Sequence, residues 1–536
     1  MTAHGSGECG SQVAYVGTPT PDGRMSDDAI VIGAGPNGLA AAIGLARAGM
    51  AVTVLEQADR PGGAVRSEEL TLPGFIHDTF SSVYPAAVAS PVFAAMPLAA
   101  HGLQWVHPRV PMAHPLPGGG AVALHRDLTR TAAGLDRQHP GDGAAWTRFV
   151  TPYLDAFDAV RATMLSGFPP IGGALSLLGR AGIRPTLDFA RLLGSSAVGL
   201  GGRLFDAPGS RAWLYGAAMH GDVPPGQAGS GVPGFYLNLL GHAVGWPSPR
   251  GGAQQLTDAL AGYLASLGGT IRTGARVERV IVRHGRATGV GIAGGEELSA
   301  AAIVADVMPA ALVTMTGDAL AGWYRFALGR YVYGPATVKV DWALDGPIPW
   351  EAAEAREAGT VHVGGSEAEL LAAIDDSRTG VPDAPFLLLG QQSVADETRA
   401  PAGGHTAWAY THGPQGSDGV LSGARHVEAM ERQIERFAPG FRDRILARHV
   451  LGPRELQARN PNLVGGDVGG GSYRLRQVVF RPVPSLSPYR TPLAGLFLAS
   501  AATFPGGAVH GVPGDAAARA TLRHLRRRTR PTAPTA

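Results

Sequence analysis

The chain has 536 residues, with 45 Lys+Arg against 43 Asp+Glu and a formal charge of +2 at pH 7. That length implies two to four domains, and the balanced charge excludes the basic face on which a nucleic-acid protein depends. A hydrophobic fraction of 45% excludes a disordered chain, and a single cysteine, Cys9, excludes an intramolecular disulfide, a Cys-based zinc site or an iron–sulfur cluster. No metal site is expected.

Residues 1–24 read as a disordered, polar leader without the apolar core of a secretory signal. No stretch offers the roughly 18 uninterrupted apolar residues of a spanning helix, so a cytoplasmic protein is expected. Ala29–Ile32 reads as a buried strand, 39–48 as a helix and Val52–Leu55 as a second strand, together the opening of a βαβ unit. Residues 111–245 change character: Pro-rich turns, a strand near Val122–His125, then helices around Trp146–Met164 and Pro185–Leu193. The apolar 164–205 stretch, broken by Gly and Pro, is either core or a greasy entrance. After a turn at 250–252, Leu256, Leu260, Leu264 and Leu267 share one helix face. Strands are predicted at Thr270–Arg272, Arg276–Val282 and Ala301–Ala305, then from Thr337 through Phe386–Leu389 and His405–Tyr410, with a helix near Arg425–Phe437. Leu496–Ala499 is a strand, Pro505–Gly514 a glycine-rich turn, and a helix follows to about Arg528. Its Arg-rich end, Arg519–Arg530, reads as helix charge and a solvated tail, with peripheral membrane contact as the alternative.

Three glycine-rich elements carry the chemistry. Gly33, Gly35 and Gly38 form G-x-G-x-x-G between strand and helix: a tight turn, close approach to a pyrophosphate, and close helix–strand packing. Eighteen residues later Glu56 ends the second strand, where a carboxylate accepts from ribose hydroxyls and repels a 2′-phosphate. Arg60-Pro61-Gly62-Gly63 follows at once; NAD binding has no need of it, and it resembles the Arg-x-Gly-Gly motif of FAD enzymes. Gly506, Gly507 and Gly511 precede the last helix, whose N-terminal dipole suits the negative charge that a flavin gains on reduction.

The ordered set IGAGPNGLAAA, ADRPGGAVRSEEL, PRGGAQQLTDAL, NPNLVGGD and LFLASAATFPGGAVHGVPGDAAA resembles the phytoene desaturase-like flavoproteins, nearest to the pyridine nucleotide-disulfide oxidoreductase domain-containing protein 2 group. The resemblance covers residues 25–528. It implies an α/β protein of the amine oxidase/desaturase type: a discontinuous Rossmann-like FAD-binding domain (25–110, 246–315 and 455–528) and an α+β substrate domain with a mixed, antiparallel sheet (111–245 and 316–454), followed by a tail at 529–536. It also implies that Val277 meets the adenine and that Ser500 lies in the last flavin turn. The chain departs from the family with Ala64 in place of a basic residue, Ser500-Ala501 in place of Gly-Ala or Gly-Asp, and Phe504 in place of His.

Two residues are candidates for catalysis. Lys339 shares one face of its strand with Thr337 and Asp341; the resemblance implies a lysine holding a water near flavin N5, and the alternative is an exposed polar face with a Lys–Asp pair. His510 either lines the flavin or bonds a backbone carbonyl. His77-Asp78 reads as a surface ion pair, with the pocket wall as the alternative. The expected activity is hydride removal by FAD from a C–C or C–N bond of a hydrophobic, isoprenoid-like small molecule, with oxygen or a quinone as electron acceptor. The alternatives are a flavin-dependent amine oxidase and an FAD-binding regulatory protein without catalysis. An NAD-only dehydrogenase would explain neither Gly62-Gly63 nor the C-terminal turn.

Overall fold

The computed structural model describes residues 27–529. The expected leader, and the tail beyond residue 529, lie outside the described residues. Asp27–Ile32 and Val52–Leu55 pair in parallel, with the helix Pro36–Ala46 between them. This helix begins three residues earlier than expected, because Pro36 sits at the one helical position where a missing N–H costs nothing. The first seven-stranded sheet runs in the order Val277–Arg283, Arg286–Ile292, Glu297–Ala305, Asp27–Ile32, Val52–Leu55 and Thr270–Arg272, with Leu496–Leu498 also paired to Glu297–Ala305.

Glu297–Ala305 is the hinge of this sheet. Its start pairs antiparallel with Arg286–Ile292, while its end pairs in parallel with Asp27–Ile32 and Leu496–Leu498. The parallel strands are runs of Ala, Val, Ile and Leu because both faces are covered. Ala29, Val31, Val54 and Val304 pack beneath Leu39, Ile43, Leu256, Leu260 and Ala517 of three helices, while Ile30, Ile32, Leu55 and Ile303 pack on Leu312 and Val290. The carboxyl ends of four parallel strands, at Ile32, Leu55, Ala305 and Leu498, open on the same side, which is where open α/β sheets bind ligands.

The second seven-stranded sheet has the order Ile445–Leu451, Ala336–Leu344, His405–Gly413, Leu387–Gly390, Ala358–Val363, Val110–Pro115 and Ala121–Leu124. Only Ala358–Val363 and Val110–Pro115 pair in parallel. One face buries Val338, Val340 and Trp342 against Val427, Met430 and Ile434 of the helix Ala424–Glu435. The other face carries Thr337, Lys339 and Asp341 opposite His412, Tyr410 and Trp408. The alternative reading of Lys339, an exposed polar face, is excluded here: all nine residues of Ala336–Leu344 are buried, because protein covers both sides of the sheet.

Eight helices occupy 128–243, and their buried side chains, among them Trp146, Trp213 and Phe235, form one core with Leu124 and Leu388. The 164–205 stretch divides by face. Leu177, Phe189 and Leu192 are core, whereas Ile171, Leu175, Ile183 and Leu187 of helices Ile171–Ala181 and Ile183–Gly194 are exposed. Among the described residues no helix is long and apolar enough to cross a membrane.

Candidate active site

The turn after the first strand is closed by atoms rather than by pattern. A Cβ at Gly38 would overlap the carbonyl of Gly33, so the third glycine lets the helix start against the strand. The Ala34 and Ala58 N–H groups donate to the Glu56 carboxylate at 2.7 and 2.9 Å, which fixes Glu56 at the mouth of the turn. A residue that the sequence reasoning missed lies beneath the turn: Asp306, immediately after Glu297–Ala305, accepts the Gly38 N–H at 2.9 Å. Burial pushes its carboxyl up to about 7, against the Gly38 amide and with the help of neighbouring Glu56. Only its place at a strand end signalled it.

The second glycine element abuts the first. The Gly62 N–H donates to the Ala34 carbonyl at 3.0 Å, and a Cβ at Gly63 would come within 3.0 Å of the Gly35 Cα. Gly63 has φ +55°, a left-handed conformation that suits glycine. Arg60 turns away, donating to the Ser67 carbonyl and pairing with Glu68. Arg66, six residues on, faces the turn and keeps its Nε without a hydrogen-bond partner among the described residues.

The C-terminal turn closes the opposite end. Gly507 packs against the Gly469 carbonyl, and a Cβ at Gly514 would overlap the carbonyl of Asn37, bringing the helix Val512–Thr529 onto Pro36–Ala46. The Gly469–Gly471 loop, also unforeseen as part of the site, is shaped by Asp467, which accepts the N–H groups of Gly334, Gly469 and Gly471 at 2.7–2.8 Å. A single cleft, open to solvent, therefore has Gly33, Gly35, Glu56, Val277 and Gly63 among its walls, and also Asp306, Gly470, Ala501 and Gly507. Gly38, Arg60, Gly62, Ser500, Gly506 and Gly511 stand behind that lining. Ser500 Oγ accepts the Ala502 N–H, and Gly511 packs on Phe93 and Ala40.

His510 is buried and does not line the cleft. Its Nδ1 accepts the Val512 N–H while Nε2 lies 3.1 Å from the Gly507 carbonyl; burial lowers its pKa to about 4 and keeps it neutral. His77 and Asp78 are buried, not a surface ion pair: Asp78 accepts from Ser67 Oγ and the Ala253 N–H, and pairs with the buried Arg399. Lys339 also lies outside the lining, hydrogen-bonded to Asp341, with His77 Nδ1 3.5 Å from the same carboxylate oxygen. His412, opposite Thr337 and next along that face, had drawn no attention in the sequence. Thr337 Oγ1 lies 3.1 Å from its Nδ1, and Asp222 Oδ1 lies 2.9 Å from its Nε2. Asp222 takes φ +54°, rare without glycine, and its Oδ2 crowds the position a Cβ on Gly469 would fill. An Asp–His pair thus stands against Gly469, a residue of the cleft lining.

These residues fit FAD. Gly35, Gly63 and Gly507 line the cleft with bare backbone, a helix N-terminus and the spare Arg66 Nε suit a pyrophosphate, and Glu56 suits a ribose. Residues 37–520 match the family described as flavin containing amine oxidoreductase. Pyridine nucleotide-disulfide oxidoreductase domain-containing protein 2 of Rattus norvegicus is 29% identical over 93% of this chain and 94% of its own length. Hydroxyneurosporene desaturase of Rhodobacter capsulatus is 27% identical over 93% and 98%. In fold, the chain is similar to the crystal structure of an oxidoreductase from Methanosarcina mazei, with a TM-score of 0.62 and 17% identity over 92% of this chain and 99% of that one. The chain belongs to the flavin-containing amine oxidoreductase family and is an FAD-dependent oxidoreductase.

Proposed function

We propose that the chain dehydrogenates a hydrophobic, isoprenoid-like small molecule across a C–C bond and passes the electrons to oxygen or a quinone. In this reading residues 25–110, 246–315 and 455–528 hold FAD, and 111–245 with 316–454 hold the substrate. The observation that carries it is an apolar surface beside the C-terminal turn. Exposed apolar side chains on Ile171–Ala181 and Ile183–Gly194 follow Phe168 in the chain, and the Phe168 ring centre stands 6.0 Å from that of Phe480 and 5.1 Å from that of Phe504, in the C-terminal turn. Exposed Arg180 and Arg184 border the helix pair, a composition suited to peripheral contact with an anionic lipid surface.

Bound FAD supplies the hydride acceptor. Removing a hydride from one carbon leaves a hydrogen on the next to depart as a proton, and that proton needs a base. We assign this role to Asp222: its Oδ2 is the oxygen against Gly469, and its Oδ1 lies 2.9 Å from His412 Nε2. Glu56, Gly63 and Gly507 bind and orient, Val277 and Arg66 assist at the adenosine and phosphate end, and Lys339 tunes the buried face beside Tyr410. The test is anaerobic mixing of the FAD-loaded protein with an acyclic isoprenoid alkene in detergent micelles and, separately, with primary amines. Bleaching of the flavin band by the alkene supports the reading; bleaching by amines alone, with peroxide released on admitting air, overturns it in favour of amine oxidation.

A further inference from the structure

Arg481 is fully buried, with 0% of its surface exposed. It enters the site from the segment before Leu496–Leu498, and neither its sequence neighbours nor any motif singled it out. Its Nη2 donates to Tyr331 Oη at 2.7 Å and to the Gly470 carbonyl, and its guanidinium lies 4.9 Å from the centre of the Tyr473 ring. Its Nε and Nη1 have no hydrogen-bond partner among the described residues, and no carboxylate there pairs with it within salt-bridge distance. Asp467, the nearby acid, has both oxygens committed to backbone N–H groups of Gly334, Gly469 and Gly471.

A guanidinium stays charged at any pH a protein survives, and a buried charge is costly unless something of opposite sign faces it. Direction is fixed by two glycines. Nη1 lies 2.6 Å from where a Cβ on Gly506 would stand, and Nη2 holds the carbonyl of Gly470, a cleft residue. The charge therefore sits behind the Gly470 and Gly506–Gly507 wall, at the end of the cleft away from Glu56. That is the end left for the isoalloxazine once the adenosine lies at Glu56 and Val277.

We infer that Arg481 is the cation that stabilises the negative charge borne by the isoalloxazine when it is reduced, and so sets the redox potential of the bound cofactor. The balance is simple. A hydride brings one proton and two electrons to a neutral ring and leaves it with one negative charge; the substrate carbon loses that hydride, and its neighbour loses a proton to a base. A fixed positive charge in a water-poor wall lowers the energy of the charged product more than that of the neutral ring. The inference rests on FAD occupying this cleft, and it extends the proposed function by naming the residue that tunes the acceptor.

Sulfite is the probe, because its lone pair forms a bond to the flavin ring and leaves the same added negative charge without any substrate. The FAD-loaded protein is titrated with sulfite, and its two-electron potential is measured by spectroelectrochemistry. In the unaltered protein, sulfite is expected to bleach the visible band and the potential to lie above that of free FAD. Arg481→Lys keeps both properties. Arg481→Met weakens sulfite binding at least tenfold and lowers the reduction equilibrium equally, about 30 mV for two electrons. Should Arg481→Met fail to fold, an unaltered protein that ignores sulfite and sits at or below the free FAD potential overturns the inference. So does a folded, yellow Arg481→Met with unchanged sulfite affinity and potential. A protein that takes up no FAD instead refutes the cofactor reading beneath it.

Discussion

Asp306 places a carboxyl 2.9 Å from the Gly38 amide and 3.1 Å from where a Cβ on Gly35 would stand, at the point where a pyrophosphate meets the helix N-terminus. With its pKa pushed up to about 7 by burial, it holds its proton in the folded protein at pH values where the unfolded chain has lost it. Stability is therefore fullest below pH 4 for this group and declines as pH rises through 7, by up to about 4 kcal/mol. Asp306→Asn keeps an acceptor for Gly38 and removes the titration. Urea unfolding of the FAD-free protein at pH 5 and pH 8 should show the variant losing less stability than the unaltered chain, and FAD affinity at pH 8 should rise. Equal losses in both proteins would show that Asp306 does not titrate in this range. Gly38 and Glu56 were legible in the sequence because strand, glycine turn and acid come within thirty residues. Asp306 was not, since its partner Gly38 is 268 residues away and a lone Asp after a strand resembles any surface acid.

The turn carrying Asp222 and the strand His405–Gly413 meet only through the fold, so their pairing had no sequence signature. The neighbouring strand Ala336–Leu344 was foreseen from Thr337 onward, but its burial on both faces was not: alternation of Val338, Val340 and Trp342 with Thr337, Lys339 and Asp341 has the look of a half-exposed strand. What the pattern cannot reveal is that polar residues on the second face satisfy one another, Lys339 with Asp341 and Thr337 with His412. If Asp222 is the proton acceptor, Asp222→Asn should bind FAD normally yet slow flavin reduction by the substrate at least a hundredfold, the ordinary size of a base contribution. His412→Gln should act in the same direction with a smaller effect. Stopped-flow reduction separates this from a structural role, because a merely structural Asp222 would lower FAD affinity and leave the reduction rate of the bound fraction unchanged.

Across the whole molecule, the parallel strands hold the cleft, and in the proposed function the helices of 128–243 give a hydrophobic substrate its approach. The division into two sheets was readable because hydrophobic runs, glycine turns and amphipathic helices alternate differently in the separate stretches; the exposed apolar face of 171–193 was not, because a buried and an exposed leucine look alike in sequence. Ile171, Ile183 and Leu187 are 61%, 70% and 51% exposed. Cosedimentation with vesicles containing anionic lipid should be strong and should fall severalfold when Leu175, Ile183 and Leu187 are replaced by Ser, with FAD content unchanged; equal cosedimentation of both proteins would remove the membrane reading. The most direct measurement is a crystal structure of the FAD-loaded protein. One FAD per chain is expected, with its adenosine ribose at Glu56, its pyrophosphate over Gly35 and Gly63 and its ring against Gly470 and Gly507. A colourless protein, or a flavin bound anywhere but along that cleft, would contradict the account.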